Sequence, residues 1–255
     1  MAVERHILIN YLNQLLEIER FTDYCPNGLQ VQGKSEIIRI ISGVTASQGL
    51  IDAAVNHQAD LILVHHGYFW RGENPCIVGM KAERVRKLLQ HQINLVAYHL
   101  PLDAHPVHGN NVQLAKQLGI EIEKTLPIPS AHNPLVWVGN LRQTTDGEQF
   151  KKHIAACLER SPLHIPAIDR QIVKLAWCTG AAQDFIDQVV EDPTIDAFLT
   201  GEVSERTVHS AREYNIHFFA AGHHATERYG VKQLGNHIAK EFNLWHQFID
   251  SDNPV

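Results

Sequence analysis

Histidines and carboxylates able to hold divalent metal ions recur in this sequence at one kind of place, the end of a short apolar run. His65 and His66 follow Leu61-Ile62-Leu63-Val64, and His99 and Asp103 follow Leu95-Val96-Ala97-Tyr98. Glu202 follows Ala197-Phe198-Leu199, and His223 follows Phe218-Phe219-Ala220-Ala221. Such runs read as strands, and in a parallel sheet ligands gather beyond the carboxyl ends of the strands. His223 and Glu227 stand four residues apart at what reads as a helix start, so both lie on one face and can grip one ion. His224 points elsewhere. His65 and His66 are adjacent and would face opposite ways on an extended chain. Both reach one metal only if the chain turns, as Gly67 permits, or else they serve two ions.

Mixed imidazole and carboxylate donors without thiolates suit Zn, Mn, Fe(II) or Co, and the sequence does not choose among them. Five ligands, two of them carboxylates able to bridge, are many for a single catalytic ion. Two ions about 3.5–4 Å apart are the economical reading. Taken singly, each piece has a bland reading: a His-His pair packs, an i,i+4 His/Glu pair decorates a helix, and an Asp caps a turn. The chain has 17 histidines. His6, His57, His91, His153, His209 and His237 have no partner at ligand spacing and read as surface or core residues.

The elements that must position these residues come as a repeat. Residues 38–52 read IRIISGVTASQGLID, and residues 173–187, offset by 135 (38 to 173), read VKLAWCTGAAQDFID. Each is an apolar run, a small-residue turn and a helical start. Second runs follow, ADLILVHHG and IDAFLTGE, then helical stretches at Lys81–His91 and Ser204–Tyr214, then third runs, INLVAYHLPLD and IHFFAAGHHATE. The expected fold class is therefore α/β: two similar, duplicated halves with mainly parallel sheets flanked by helices. Residues 1–125 form the first half with an N-terminal helix over Val3–Leu16, and residues 171–255 form the second. Residues 126–170 form a connector with prolines at 127, 129, 134, 162 and 166 and a helix near Glu148–Leu158. The two halves are expected to form one compact unit and share a site. NLWHQFID reads as a last strand.

Composition is that of a globular chain, 44% hydrophobic and 20% charged. A net charge of −6 argues against non-specific attraction to the nucleic-acid backbone, and no sequence-specific nucleic-acid binding is expected. Cys25, Cys76, Cys157 and Cys178 are scattered, with no C-x-x-C, and read as reduced thiols. The N-terminus lacks the layout of a secretory signal, and no apolar run approaches the roughly 20 residues a membrane span needs. A cytoplasmic protein without a membrane association is expected.

The segments DYCPNGLQV, SGVTAS, VHHGYFW, HLPLDAH, Asn110-Asn111, TGEVSE and AAGHHATER together resemble the family of type 2 homologues of GTP cyclohydrolase I, also called Ngg-interacting-factor-three-like. The resemblance covers nearly the whole chain. It implies two divalent metal ions held by the His-His of VHHG, the Asp of LPLD, and the first His and the Glu of GHHATE, here His65, His66, Asp103, His223 and Glu227. It also implies a toroidal homohexamer. His99, Glu202 and His224 match family motifs without being ligands and are the candidates for supporting hydrogen bonds or acid–base catalysis.

The leading functional expectation is a dinuclear metal-dependent hydrolase, a cyclohydrolase or amidohydrolase acting on a nucleotide- or pterin-like small molecule. No Walker-type or G-x-G-x-x-G motif is present to read a nucleotide. One alternative is a non-catalytic metal-binding or protein-interaction protein. The other is a two-metal phosphoesterase, which needs a cation for phosphate, with Arg71 and Arg228 nearest in sequence.

Overall fold

The structure, a computed structural model, describes residues 2–127 and 133–255. Of the connector prolines, Pro129 lies outside them. In chain order the elements are β1 (Val3–Glu4), α1 (Arg5–Leu15), β2 (Gly28–Val31), β3 (Glu36–Ile37), β4 (Arg39–Thr45), α2 (Gln48–Asn56), β5 (Leu61–His66), α3 (Gly79–Gln90), β6 (Asn94–Ala97) and α4 (Leu100–Ala104). There follow α5 (Asn110–Leu118), β7 (Ile120–Leu126), β8 (Val136–Thr145), α6 (Gly147–Leu158), β9 (Leu163–Ile165), β10 (Ile172–Trp177), α7 (Ile186–Val189), β11 (Ala197–Thr200), α8 (Glu205–Glu213), β12 (His217–Ala220), α9 (His223–Phe242) and β13 (Trp245–Phe248). By contact the chain divides into two compact units. One contains residues 1–109 and 230–252, the other residues 110–229 and 253–255.

The first unit is built on a five-stranded sheet in the order β13-β4-β5-β6-β2. β13, β4, β5 and β6 run parallel, and β2 closes the edge antiparallel to β6. Alternation along the strands sends Ile41, Ile62, Val64, Leu95 and Ala97 to one face, against Leu50, Ile51 and Ala54 of α2 and Val85 and Leu88 of α3. Ile40, Leu61, Leu63 and Val96 pack on the other face with Leu8 and Leu12 of α1 and Val231, Leu234 and Ile238 of α9. Continuous apolar runs are what a sheet covered on both faces requires.

In the second unit the sheet order is β7-β8-β10-β11-β12-β9. Its parallel centre is β10, β11 and β12, the strands of the repeat. The segment expected as a connector supplies the antiparallel flanks, β8 beside β10 and β9 beside β12. One face buries Leu175, Trp177, Leu199 and Phe219 against Leu114 and Leu118 of α5 and Phe150, Ile154 and Leu158 of α6. The α6 helix starts where Asp146 accepts the Gln149 amide as an N-cap, at 2.8 Å.

The repeat extends to hydrogen bonding at the start of the strands. Asp60 Oδ2 accepts the amides of Ile38 and Arg39, each at 2.9 Å, while Oδ1 meets Lys34 Nζ at 2.6 Å. Asp196 Oδ2 accepts the amides of Val173 and Lys174, each at 3.0 Å, while Oδ1 meets Arg170 Nε at 3.0 Å. Each carboxylate ties the preceding strand's entry to the strand that follows it.

Replacing Asp60 by Ala leaves two strand-entry amides without their acceptor and is expected to cost about 2–3 kcal/mol, read from urea unfolding. A second expectation concerns His246, whose Nε2 lies 2.7 Å from Ser42 Oγ and whose Nδ1 lies 2.9 Å from Asn236 Oδ1. Burial, with Lys232 adding to it, pushes this imidazole down to about 4. Because the folded value lies below the unfolded one, its contribution is present above about pH 6.5 and is lost as pH falls towards 4. Thermal melts should decline across that window, and His246→Gln should flatten the decline.

Candidate metal centre

At the carboxyl end of β5 the chain delivers two imidazoles side by side. His65 is fully buried, and the ring centroids of His65 and His66 lie 4.5 Å apart. Gly67 makes this end of the strand possible: a Cβ there would stand 2.1 Å from Gln30 Oε1 and 2.8 Å from the Ala97 side chain. The same Gln30 oxygen accepts the Tyr68 amide at 2.7 Å. Two residues on, Phe69 adopts φ +66°, a conformation costly for a bulky side chain. It turns Trp70 so that its ring lies 5.9 Å from His66 and 5.0 Å, edge-on, from His99.

His65, His66 and His99 each place Nδ1 against an oxygen. His65 Nδ1 lies 2.9 Å from the Tyr98 carbonyl, which can only accept, so Nδ1 carries the proton. Its Nε2 faces Asp103 Oδ1 at 3.5 Å. Thr45 Oγ1 meets His66 Nδ1 at 3.2 Å. Asp103 itself is buried in the first turns of α4, its amide donating to the His99 carbonyl at 3.2 Å.

His99 is held by a residue that sequence reasoning misses. Asp23 Oδ1 lies 2.7 Å from His99 Nδ1, and its carboxylate also accepts the amides of Tyr24 at 2.6 Å and Leu100 at 3.0 Å and the Asn27 side chain at 2.8 Å. Burial raises the Asp23 pKa, but these donors, His99 foremost, outweigh it and hold the carboxyl below its ordinary range. The signal lies in the FTDYCPN segment, whose residues by themselves read only as a turn. Cys25, close to Asp23 and His99, is no thiolate: burial and the Asp23 charge push it up to about 12.

In the second unit His223 opens α9 and Glu227 follows one turn later, with His223 Nε2 3.1 Å from Glu227 Oε2. Glu202, in the loop after β11, sets the other nitrogen, with Oε1 2.6 Å from His223 Nδ1. Burial lowers the His223 pKa, yet Glu227 and Glu202 overcome it and raise it to about 9. Two glycines make room. A Cβ at Gly180, where φ is +70°, would stand 2.2 Å from Glu227 Oε1, and one at Gly201 would stand 2.7 Å from His223 Cα. Thr226 Oγ1 accepts the Gly180 amide at 3.1 Å and so ties this turn to the helix start.

Of the remaining candidates, His224 is buried and its amide donates to the Val255 carbonyl at 3.0 Å. Arg71 and Arg228 are engaged structurally: Arg71 donates to the Asp23 carbonyl at 2.8 Å, and Arg228 to that of Leu158 at 2.5 Å.

The model of the Duf34/NIF3 (NGG1p interacting factor 3) family matches residues 3–254. The chain belongs to this family. It is 54% identical over 255 residues to the protein of Pseudomonas aeruginosa named GTP cyclohydrolase 1 type 2 homolog, covering all of both chains. The solved structure of protein ybgI, described as of unknown function, is 46% identical with a TM-score of 0.94 and covers 99% of this chain and 100% of that one. TTHA1606 from Thermus thermophilus is 31% identical with a TM-score of 0.87, at 99% and 100% coverage.

The donor chemistry of this family member fits divalent metal in both units. His65, His66, His99 and Asp103 in the first, and His223 and Glu227 in the second, offer imidazole nitrogens, each ring held at Nδ1 by an oxygen, together with carboxylate oxygens. Exchange of Glu202 for Gln removes the charged hold on the His223 ring. Metal affinity should fall about 10- to 100-fold with the melting temperature little changed, as isothermal titration with Zn or Co would show.

Proposed function

We propose that this NIF3-family chain is a metal-dependent hydrolase whose two donor sets, His65, His66 and Asp103 in one unit and His223 and Glu227 in the other, together hold a pair of divalent ions. The substrate we assign is a nucleotide- or pterin-like small molecule, opened or deaminated by water. One observation carries the reading: in both units the imidazoles are fixed at Nδ1 by an oxygen, the Tyr98 carbonyl for His65 and the Glu202 carboxylate for His223, which aims Nε2 at a carboxylate. A purely structural histidine has no need of that pairing. The substrate class rests on the name carried by relatives such as the Pseudomonas aeruginosa protein.

Bound there, divalent ions supply Lewis acidity for polarising a carbonyl or ring carbon. The chain's own side chains do the rest. Glu202 keeps the His223 ring in one orientation and, as a carboxylate, is our candidate to take a proton from the attacking water. The Trp70 ring stands edge-on to His99, its centroid 5.0 Å away, and packs on that side of the first donor set. We assign His224 a supporting role at the α9 start.

No described helix is long and apolar enough to cross a membrane. We place the protein in the cytoplasm, and we carry over from the resemblance a ring of six copies. A metal-binding interaction protein is the competing reading, favoured by the family's description as an interacting factor. Metal content and turnover separate the two. Asp103→Ala should lose bound metal and at least about 100-fold in turnover. Wild-type protein at full loading, offered nucleotides, pterins, phosphoesters and peptides, should add water to a nucleotide or pterin by mass spectrometry. Full loading with no product from any of them would leave the interaction reading standing.

A further inference from the structure

Two buried imidazoles outside the metal centre share a single proton at the edge of the second unit's sheet. β9 is three residues long and pairs antiparallel with β12, His164 opposite Phe219. The His164 side chain is 2% exposed and lies flat on the Phe219 ring, with centroids 4.4 Å apart and planes 6° apart. His217 is buried beside it. A Cβ at Gly147, where α6 begins, would stand 2.6 Å from Cε1 of both imidazoles, so the pair fills its space. Hydrogen bonds fix where the protons are. The Arg170 carbonyl lies 2.9 Å from His217 Nε2 and can only accept, so that nitrogen carries a proton. His217 Nδ1 accepts the Ala167 amide at 3.2 Å, and the proton between the rings, across 3.1 Å, therefore belongs to His164 Nε2. His164 Nδ1 is left as the one nitrogen of the pair able to take another proton, and Glu148 Oε1 of α6 faces it at 3.3 Å. Lys151 of α6 acts on the same ring, and behind His217 the Arg170 guanidinium is paired with Asp196 at 3.0 Å.

We propose that His164 and His217 form an acid-opened latch, which holds β9 on the edge of β12 at neutral pH and releases it as the solution becomes acidic. Closed, the pair cannot hold two added protons. A proton on His217 Nδ1 would point at two N–H donors, the Ala167 amide and His164 Nε2. One on His164 Nδ1 would place a charge on a buried ring beside another imidazole, with only the exposed Glu148 carboxylate to meet it. Released into water, both rings charge at the ordinary histidine value of about 6.5. Burial foremost, with His217 and Lys151 adding to it, holds His164 below that value although Glu148 pulls the other way. Because the closed value lies below the open one, closure is fully favoured above about pH 6.5 and weakens below it. β9 makes only three residue pairs with β12, so it can part from the sheet while the strands of the core stay together. Opening uncovers the backbone edge of β12, a surface able to pair with another strand. The latch works in the same way whether or not the metal centre is catalytic.

Hydrogen exchange of the full chain, followed by mass spectrometry and corrected for the intrinsic pH dependence of amide exchange, tests this. Between about pH 7.5 and about pH 5 the opening equilibrium at the β9 amides should rise at least about 10-fold. Those of β5 and β11 should rise far less. His164→Gln, which keeps an N–H for His217 Nδ1 but cannot take a proton, should shrink the rise at β9. Adding His217→Gln should abolish it. Far-UV circular dichroism checks each variant for folding. If the glutamine variants unfold, Glu148→Gln serves instead and should steepen the rise, because a charged His164 then loses its carboxylate. The proposal is overturned if β9 opening is independent of pH, if β11 opens in step with β9, or if the rise is unchanged in the variants that fold.

Discussion

An imidazole has two nitrogens and a ring that rotates, so it can serve as a dependable ligand only when one nitrogen is pinned. Everything in the candidate centre follows from that constraint. The Tyr98 carbonyl pins His65, Thr45 meets His66, Asp23 pins His99 and Glu202 pins His223. Two of the four pins are carboxylates, which cost desolvation when they are not solvated, and the chain offsets that cost locally. Around Asp23 it does so with three further donors.

Duplication explains how one chain arrives at two such donor sets. Each unit repeats a parallel β–α–β–α–β core whose strand entries are tied by an acidic residue, Asp60 or Asp196, bonded to equivalent amides and to a cation. With the entries tied, the opposite, carboxyl ends of the strands carry the ligands. The units differ in what surrounds that core. The first adds β2 and β13 to its sheet, and the second adds β7, β8 and β9.

Much of this is legible in the sequence. The repeat at residues 38–52 and 173–187 foretells the paired cores, and the apolar runs foretell the parallel strands, because a strand buried on both faces has no polar residues to spare. The i,i+4 spacing of His223 and Glu227 foretells their 3.1 Å approach at the α9 start. Less visible are the features that depend on long-range pairing. The four residues of β2 show no strand signal of their own, since their strand character comes from pairing with the edge of β6. The antiparallel flanks β8 and β9 lie in a proline-rich stretch, and their strand character depends on pairing with β10 and β12, which is not visible locally. Asp23 is hidden because its partner His99 is far away in sequence. Glycines 67, 180 and 201 look like ordinary punctuation until the side chains that crowd them are in place.

The central claim is that the chain holds a pair of divalent ions through both donor sets. Anomalous diffraction from crystals grown with Zn or Co tests it most directly. The account predicts two peaks per chain, with His65, His66, Asp103, His223 and Glu227 all within bonding distance of one or the other. A single peak, or none within bonding reach of Glu227, would contradict it.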